Sequence, residues 1–288
     1  NLMIKVPATP EGIPAIAELI GQGINVNVTL LFAQETYERV AEAYLTGLEQ
    51  VAARGGDVGR VASVASFFVS RIDTAVDREL AARLTISATG AEQAKLRSLL
   101  GTVAIANARC AYQRYRRRFS GSRWERLAAQ GAMTQRLLWA STGTKNPAYR
   151  DVLYVEELIG PDTVNTVPPA TLEAFRAHGL PQNRLMEGSE QAAEILCALD
   201  AVGIALSAIT DRLLDEGVQV FKNAFDQLLA AMAPQGKASL SAPMTPCAYA
   251  LPAFLTAAVR ASLKDWEEDG RVGRLWARDP SLWTDEDE

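Results

Sequence analysis

Residues 2–32, LMIKVPATPEGIPAIAELIGQGINVNVTLLF, hold two apolar runs separated by a helical pattern, and that order decides the fold class. Leu2-Met3-Ile4-Lys5-Val6 is strand-like and is halted by Pro7, with no cap or turn before it, so the chain is expected to start inside an element. From Pro10 to Gln22 the apolar positions Ile13, Ile16, Ala17 and Ile20 recur at helical spacing, and Gly21 and Gly23 close the pattern. Ile24 to Phe32 reads as a second strand. A second helical stretch, Gln34 to Arg54, leads through Gly55-Gly56-Asp57 into a third strand, Val61 to Val69. Strands alternating with single helices imply parallel pairing with right-handed crossovers, hence a doubly wound sheet or an α/β barrel.

The remainder continues the alternation around a helical insert. One long helix from Ala91 to Phe119 and a shorter one from Ser122 to Gln130 precede a fourth strand, Arg136 to Thr142, and Asp162 to Val167 gives a fifth. Pro168-Pro169 ends that strand, and Thr171 is placed to cap a helix running to His178. Two further helices, Gly188 to Glu216 and Val218 to Ala233, precede a final stretch from Tyr249 to Glu267 and an acidic tail. No repeat of fixed period is present.

Composition narrows the functional class. A chain of 288 residues, 48% hydrophobic, can bury a large core, and one domain is the simpler expectation. Its 29 basic and 34 acidic residues give a net charge of -5, which argues against nucleic acid or acidic membranes as partners. No stretch reaches the roughly 20 apolar residues that span a bilayer, and no signal peptide is recognisable. Cys110, Cys197 and Cys247 are widely spaced and outside any CxxC pattern, as expected of free thiols in a reducing cytoplasm. His178, the only histidine, excludes mechanisms needing two and leaves a Ser-His-Asp triad a weak candidate; beside Gly179 it suits a helix end. Tyr112, Arg114, Tyr115, Arg116, Arg117 and Arg118 interleave rings with cations as some RNA-binding helices do, but one solvated basic face explains them better in an acidic chain.

Chemistry concentrates on the first two strands. Lys5 shares a strand face with Met3, opposite Leu2, Ile4 and Val6. Burial there would disfavour the charged form and free a neutral amine to attack a carbonyl. An edge lysine reaching solvent is the simpler alternative. On the second strand Asn25, Asn27 and Thr29 occupy one face and Val26, Val28 and Leu30 the other, so this strand has a polar inside. In a barrel such inward residues meet the active site, where an amide and a hydroxyl would hold substrate hydroxyls and a catalytic water. Mutual satisfaction of these polar groups is the alternative.

These residues carry a resemblance. Asn1 to Thr9, Glu11-Gly12-Ile13 and Gly23 to Phe32 resemble the transaldolase signature around its Schiff-base lysine. Ser66-Phe67-Phe68-Val69-Ser70-Arg71-Ile72-Asp73 is similar to the family's serine and arginine segment after strand six, although proline and glycine are commoner where Phe67 and Ser70 stand. Leu138 to Pro147 resembles the strand-seven motif of a bacterial branch. The resemblance implies a TIM-type (β/α)8 barrel of the class I aldolase kind with Lys5 as Schiff-base former. It implies that Asn27 contacts substrate, that Thr29 positions a catalytic water, and that Ser66, Arg71, Ser141 and Lys145 hold the phosphate. Lys145 replaces an arginine common among relatives, which loses bidentate geometry. A surface ion pair is the alternative for both Arg71 and Lys145, with Asp73 or Asp77 as the partner of Arg71.

The resemblance also implies an absence. Family members carry three strands before the lysine strand, which supply an aspartate, an asparagine and the general acid/base glutamate, and none is identifiable here. The chain is therefore expected to be one N-terminally truncated barrel domain over 1–288, holding strands four to eight and ending in a tail over 268–288. Alone it is expected to be poorly stable and weak or inactive as a catalyst. The implied activity is cytoplasmic pentose-phosphate chemistry on sugar phosphates, with no cofactor and no metal. An aldolase releasing free dihydroxyacetone and a non-catalytic sugar-phosphate-binding fragment are the alternatives. Leu275-Trp276-Ala277-Arg278-Asp279 and Ser281-Leu282-Trp283-Thr284 resemble the segment that leads, in similar bacterial proteins, into a fused phosphoglucose isomerase.

Overall fold

The computed structural model describes residues 2–86, 89–241 and 252–276. Packing divides the chain into two units, Asn1–Asp226 and Gln227–Glu288. The first is built on five parallel strands, β1 (Ile4–Pro7), β2 (Val26–Leu31), β3 (Ser63–Phe68), β4 (Arg136–Ala140) and β5 (Thr163–Asn165). They lie side by side in chain order. Sequential order means that every crossover steps one strand in the same direction, as right-handed βαβ units do when their helices collect on one face.

The helices of this unit are α1 (Gly12–Gly21), α2 (Gln34–Ala53), α3 (Ser70–Ile86), α4 (Gly90–Leu99), α5 (Val103–Arg118), α6 (Ser122–Ala128), α7 (Leu153–Glu157), α8 (Pro169–His178), α9 (Ser189–Ala201) and the start of α10 (Leu206–Ser241). On α2 the buried residues Tyr37, Val40, Ala41, Tyr44, Leu48 and Val51 follow the helical period and form one stripe. The stripe joins Val26, Val28, Ala65, Phe67, Leu137 and Trp139 of the sheet in the main core. Buried polar tips find partners there: Tyr44 donates to the Met133 carbonyl at 2.8 Å, and the Trp139 indole N–H donates to that of Leu158 at 3.0 Å. In the second unit α11 (Ala253–Glu268) packs on α12 (Arg271–Trp276).

Helix boundaries differ from the sequence expectation where glycine takes a left-handed backbone. The predicted Ala91–Phe119 helix is two, α4 and α5, parted at Gly101 with φ +70°. The break expected at Gly217 lies instead at Gly203, with φ +74°, and α10 runs through Gly217 unbroken. Thr171 is not a cap: α8 begins at Pro169, whose fixed φ suits a first helical position, and Thr171 is buried inside it. Helices α3 and α7 were not singled out by periodicity, because buried polar residues such as Ser70, Asp73 and Glu156 interrupt their apolar pattern.

Among the described residues no single helix is long and apolar enough to cross a membrane. Cys110 and Cys197 are free thiols. Cys247, the tail beyond Trp276 and the start of the predicted Tyr249–Glu267 stretch lie outside the described residues.

Candidate active site

Parallel register places equivalent side chains of neighbouring strands on one face of the sheet. Lys5 is in register with Asn27, Asn27 with Val64, Val64 with Arg136, and Leu138 with Val164. This face, opposite the main core, carries Lys5, Asn27, Val64, Ser66, Phe68, Leu138, Ala140 and Val164. Its apolar members form a second, smaller cluster, with Val64, Leu138 and Ala140 buried against Phe68 and Val164. The Ser66 hydroxyl donates to the Asn27 side-chain oxygen at 2.7 Å. That bond orients the amide so that its NH2 group faces away from Ser66. Lys5, Asn27 and Ser66 are thus brought together on three adjacent strands, although their sequence separation is as large as 61 residues.

The expected enclosure of Lys5 is not met. The residue is exposed, and Leu2, Met3 and Ile4 beside it are 73%, 37% and 42% exposed. The reason is position: β1 is an edge strand, paired only with β2 among the described residues. The alternative of an edge lysine describes its burial in this chain.

The polar face of the second strand also needs correction at both ends. Asn25 precedes β2, and its side-chain oxygen accepts the Ala62 N–H at 2.8 Å, which fixes the entry to β3 rather than the site. At the other end alternation stops at Leu30, whose φ of 59° accompanies a register shift between Val28 and Leu31. Leu30 and Leu31 are consequently both buried. Thr29 is 2% exposed, and its hydroxyl has no hydrogen-bond partner among the described residues. A buried hydroxyl left so is costly unless a further polar group meets it.

Past the C-terminal ends of β3 and β4 the predicted anion-binding groups gather. Arg71, in the first turn of α3, places its guanidinium carbon 5.3 Å from the centre of the Phe68 ring. The Ser70 N–H donates to the Ser141 carbonyl at 3.0 Å, which ties the start of α3 to the residue following β4. Ser141 has φ 57°, an uncommon conformation for serine that turns the chain sharply out of the strand. Arg71 has no carboxylate partner among the described residues. The alternative pairing with Asp73 or Asp77 fails because both carboxylates are otherwise engaged: Asp73 accepts from the Ala104 N–H and the Tyr154 hydroxyl, Asp77 from the Gly101 N–H and the Tyr149 hydroxyl.

Lys145 sits apart from Ser66 and Asn27. It is exposed and lines a cleft of about 390 Å³ with Thr74, Asp77, Arg78 and Tyr154. Thr74 and Arg78 follow Arg71 at helical spacing, so the cleft continues along the Arg71 face of α3. Burial pushes the Asp73 carboxyl from 3.8 up to about 7, outweighing the Ala104 and Tyr154 hydrogen bonds, and likewise raises Asp77. Sequence reasoning missed this pair, since its partners lie up to 81 residues away. The only local signal was an acidic residue on the buried face of a helix.

Other candidates have structural roles. His178 ends α8 and bonds Asp151 at 2.9 Å on an exposed surface. Tyr112 and Tyr115 are buried and stacked 5.6 Å apart, while Arg114, Arg118 and Arg123 pair with Glu35, Glu38, Glu42 and Glu49 of α2. Among the described residues no cluster of three metal-ligating His, Cys, Asp or Glu side chains occurs.

Comparison with known proteins places the chain in a family. The family model described as Transaldolase/Fructose-6-phosphate aldolase matches residues 1–232. A transaldolase of Trichodesmium erythraeum is 48% identical over 81% of the chain and 62% of its own length. One of Parafrankia is 50% identical over 82% of the chain and 62% of its own length. Transaldolase 1 of Streptomyces coelicolor is 48% identical over 81% and 59%. The chain therefore spans about three fifths of the curated relatives it matches.

Proposed function

The chain belongs to the transaldolase/fructose-6-phosphate aldolase family, and from that premise we propose that it carries the Schiff-base half of a transaldolase site, with Lys5 as the nucleophile. The observation that carries the reading is the parallel register of Lys5 with Asn27, whose amide is held by Ser66. An amine in register with an amide, and a hydroxyl two residues further along the next strand that orients the amide, on one sheet face, match what covalent capture of a polyhydroxylated ketone requires.

The reaction proposed is transfer of a dihydroxyacetone unit from sedoheptulose 7-phosphate to glyceraldehyde 3-phosphate, giving erythrose 4-phosphate and fructose 6-phosphate in the cytoplasm. The Lys5 amine adds to the ketose C2 carbonyl, and loss of water leaves an iminium. That electron sink accepts the pair from the C3–C4 bond as the first aldose departs, and the enamine retained on Lys5 then adds to the acceptor aldehyde. Water returns to the imine and frees the lysine. Thr29, buried with an unpaired hydroxyl, is suited to hold that water. Arg71 and Ser141 suit the phosphate, since a dianion calls for a cation with hydroxyl donors; Ser66, proposed with them, would have to release the proton it gives to Asn27, and Lys145 of the β4–β5 segment adds a second cation in the cleft beside α3. The chemistry needs no metal or organic cofactor, because the iminium itself polarises the substrate.

This reading takes the five strands as consecutive staves of one (β/α)8 barrel domain over 1–288, with a tail over 268–288. Three further strands between β5 and β1 would close the barrel and cover the exposed flank of Lys5. The apolar residues Leu2, Met3 and Ile4 on the β1 edge support such a cover. A phosphoglucose isomerase segment following the tail is a further expectation of the bacterial branch.

The test is covalent. Incubating the intact protein with fructose 6-phosphate and borohydride is expected to leave a three-carbon adduct on Lys5, located by peptide mass spectrometry and absent from Lys5→Met. An adduct elsewhere, or none, overturns the reading. The family description also covers fructose-6-phosphate aldolases. Release of free dihydroxyacetone without an acceptor aldehyde would select that activity.

A further inference from the structure

Asp73 and Asp77 lie one turn apart on α3, and each divides its two oxygens in the same way. One oxygen of Asp73 accepts the Ala104 N–H at 2.7 Å and the other accepts the Tyr154 hydroxyl at 2.9 Å. One oxygen of Asp77 accepts the Gly101 N–H at 3.1 Å and the other the Tyr149 hydroxyl at 2.7 Å. One set of bonds seizes the start of α5, where unpaired backbone N–H groups attract carboxylates. The other holds two tyrosines of the segment between β4 and β5, which also carries Ser141 and Lys145. The arrangement is shaped around those rings: a side-chain carbon on Gly101 would stand 2.7 Å from the Tyr149 ring.

We propose that Asp73 and Asp77 are positioning residues which clamp the β4–β5 segment to α3 and thereby set the spacing between Arg71 on one side and Ser141 and Lys145 on the other. The inference rests on the reading of those residues as the phosphate site. Arg71 and Asp73 are separated by less than one helical turn, so a shift of α3 against the tyrosines moves the guanidinium with it. The Tyr149 and Tyr154 hydroxyls bond Asp77 and Asp73, not Lys5 or Asn27. Loosening the clamp should therefore weaken the response to phosphate more than the response to the ketone.

The test compares fructose 6-phosphate with phosphate-free fructose as donors in the intact protein, for the parent, Tyr149→Phe, Tyr154→Phe and Asp77→Ala. The phenylalanine variants keep the rings and remove only the hydroxyls, so they remain informative if the aspartate variant does not fold. The clamp predicts that the ratio of kcat/KM between phosphorylated and free donor falls about tenfold, through a higher KM for the phosphorylated one. A purely structural role would lower both donors alike and leave that ratio unchanged, which overturns the proposal. Parent protein that forms no Lys5 adduct overturns the functional reading itself, whatever the ratio.

Discussion

Thr29 and Asp73 show how a single buried polar group can serve against stability. The Thr29 hydroxyl is sealed from solvent with no hydrogen-bond partner among the described residues. Replacing it with valine removes that group at nearly constant volume, so Thr29→Val is expected to unfold at equal or higher urea, by up to roughly 1–2 kcal/mol. The same change should lower kcat at least about tenfold if the hydroxyl holds the catalytic water. Asp73 has a raised pKa in the fold, about 7 against 3.8. The folded state then binds its proton more tightly than the unfolded chain does. Its stabilising contribution is complete below about pH 3.8 and is lost as the pH rises toward 7. Thermal unfolding of Asp73→Asn and parent, followed from pH 4 to 8, should show the variant gaining relative to the parent as pH increases; a constant gap would refute the burial effect.

At the level of elements, boundaries were legible where period and punctuation agree. The strand, helix, strand order of residues 2–32 appears as β1, α1 and β2, because Pro7 and Gly23, whose φ is +80°, act locally whatever surrounds them. The α4–α5 break was not legible, since Gly101 is a stop only in the presence of its contacts. A Cβ there would need both a left-handed backbone, φ +70°, and space now filled by Tyr149. Gly101→Ala is accordingly expected to cost about 1–3 kcal/mol in urea unfolding. By contrast Arg123, which bridges Glu42 and Glu49 at the protein surface, is partly solvated. Arg123→Ala should cost no more than about 1 kcal/mol, and the loss should shrink as salt is added.

For the whole molecule the decisive feature is the uncovered edge at β1. Among the described residues no strand pairs with the outer side of β1, and its backbone groups, flanked by Leu2, Met3 and Ile4, form a template for another strand. A polypeptide of residues 1–288 alone is expected to self-associate as its concentration rises, seen by sedimentation velocity; a monomer at all concentrations would contradict the barrel reading. The sequence by itself determined the parallel α/β order and the family, and it nominated Lys5, Asn27, Thr29, Ser66, Arg71 and Ser141 as the site residues we propose, because strand period and motif spacing act over a few residues. Tertiary structure alone decided that Asn25 serves the entry to β3, that Lys145 faces the α3 cleft, and that Asp73 and Asp77 bind tyrosines 81 and 72 residues away. It also decided that Lys5 stands exposed on an edge. Burial and long-range hydrogen bonding depend on which distant elements close around a residue, and no local pattern encodes that closure.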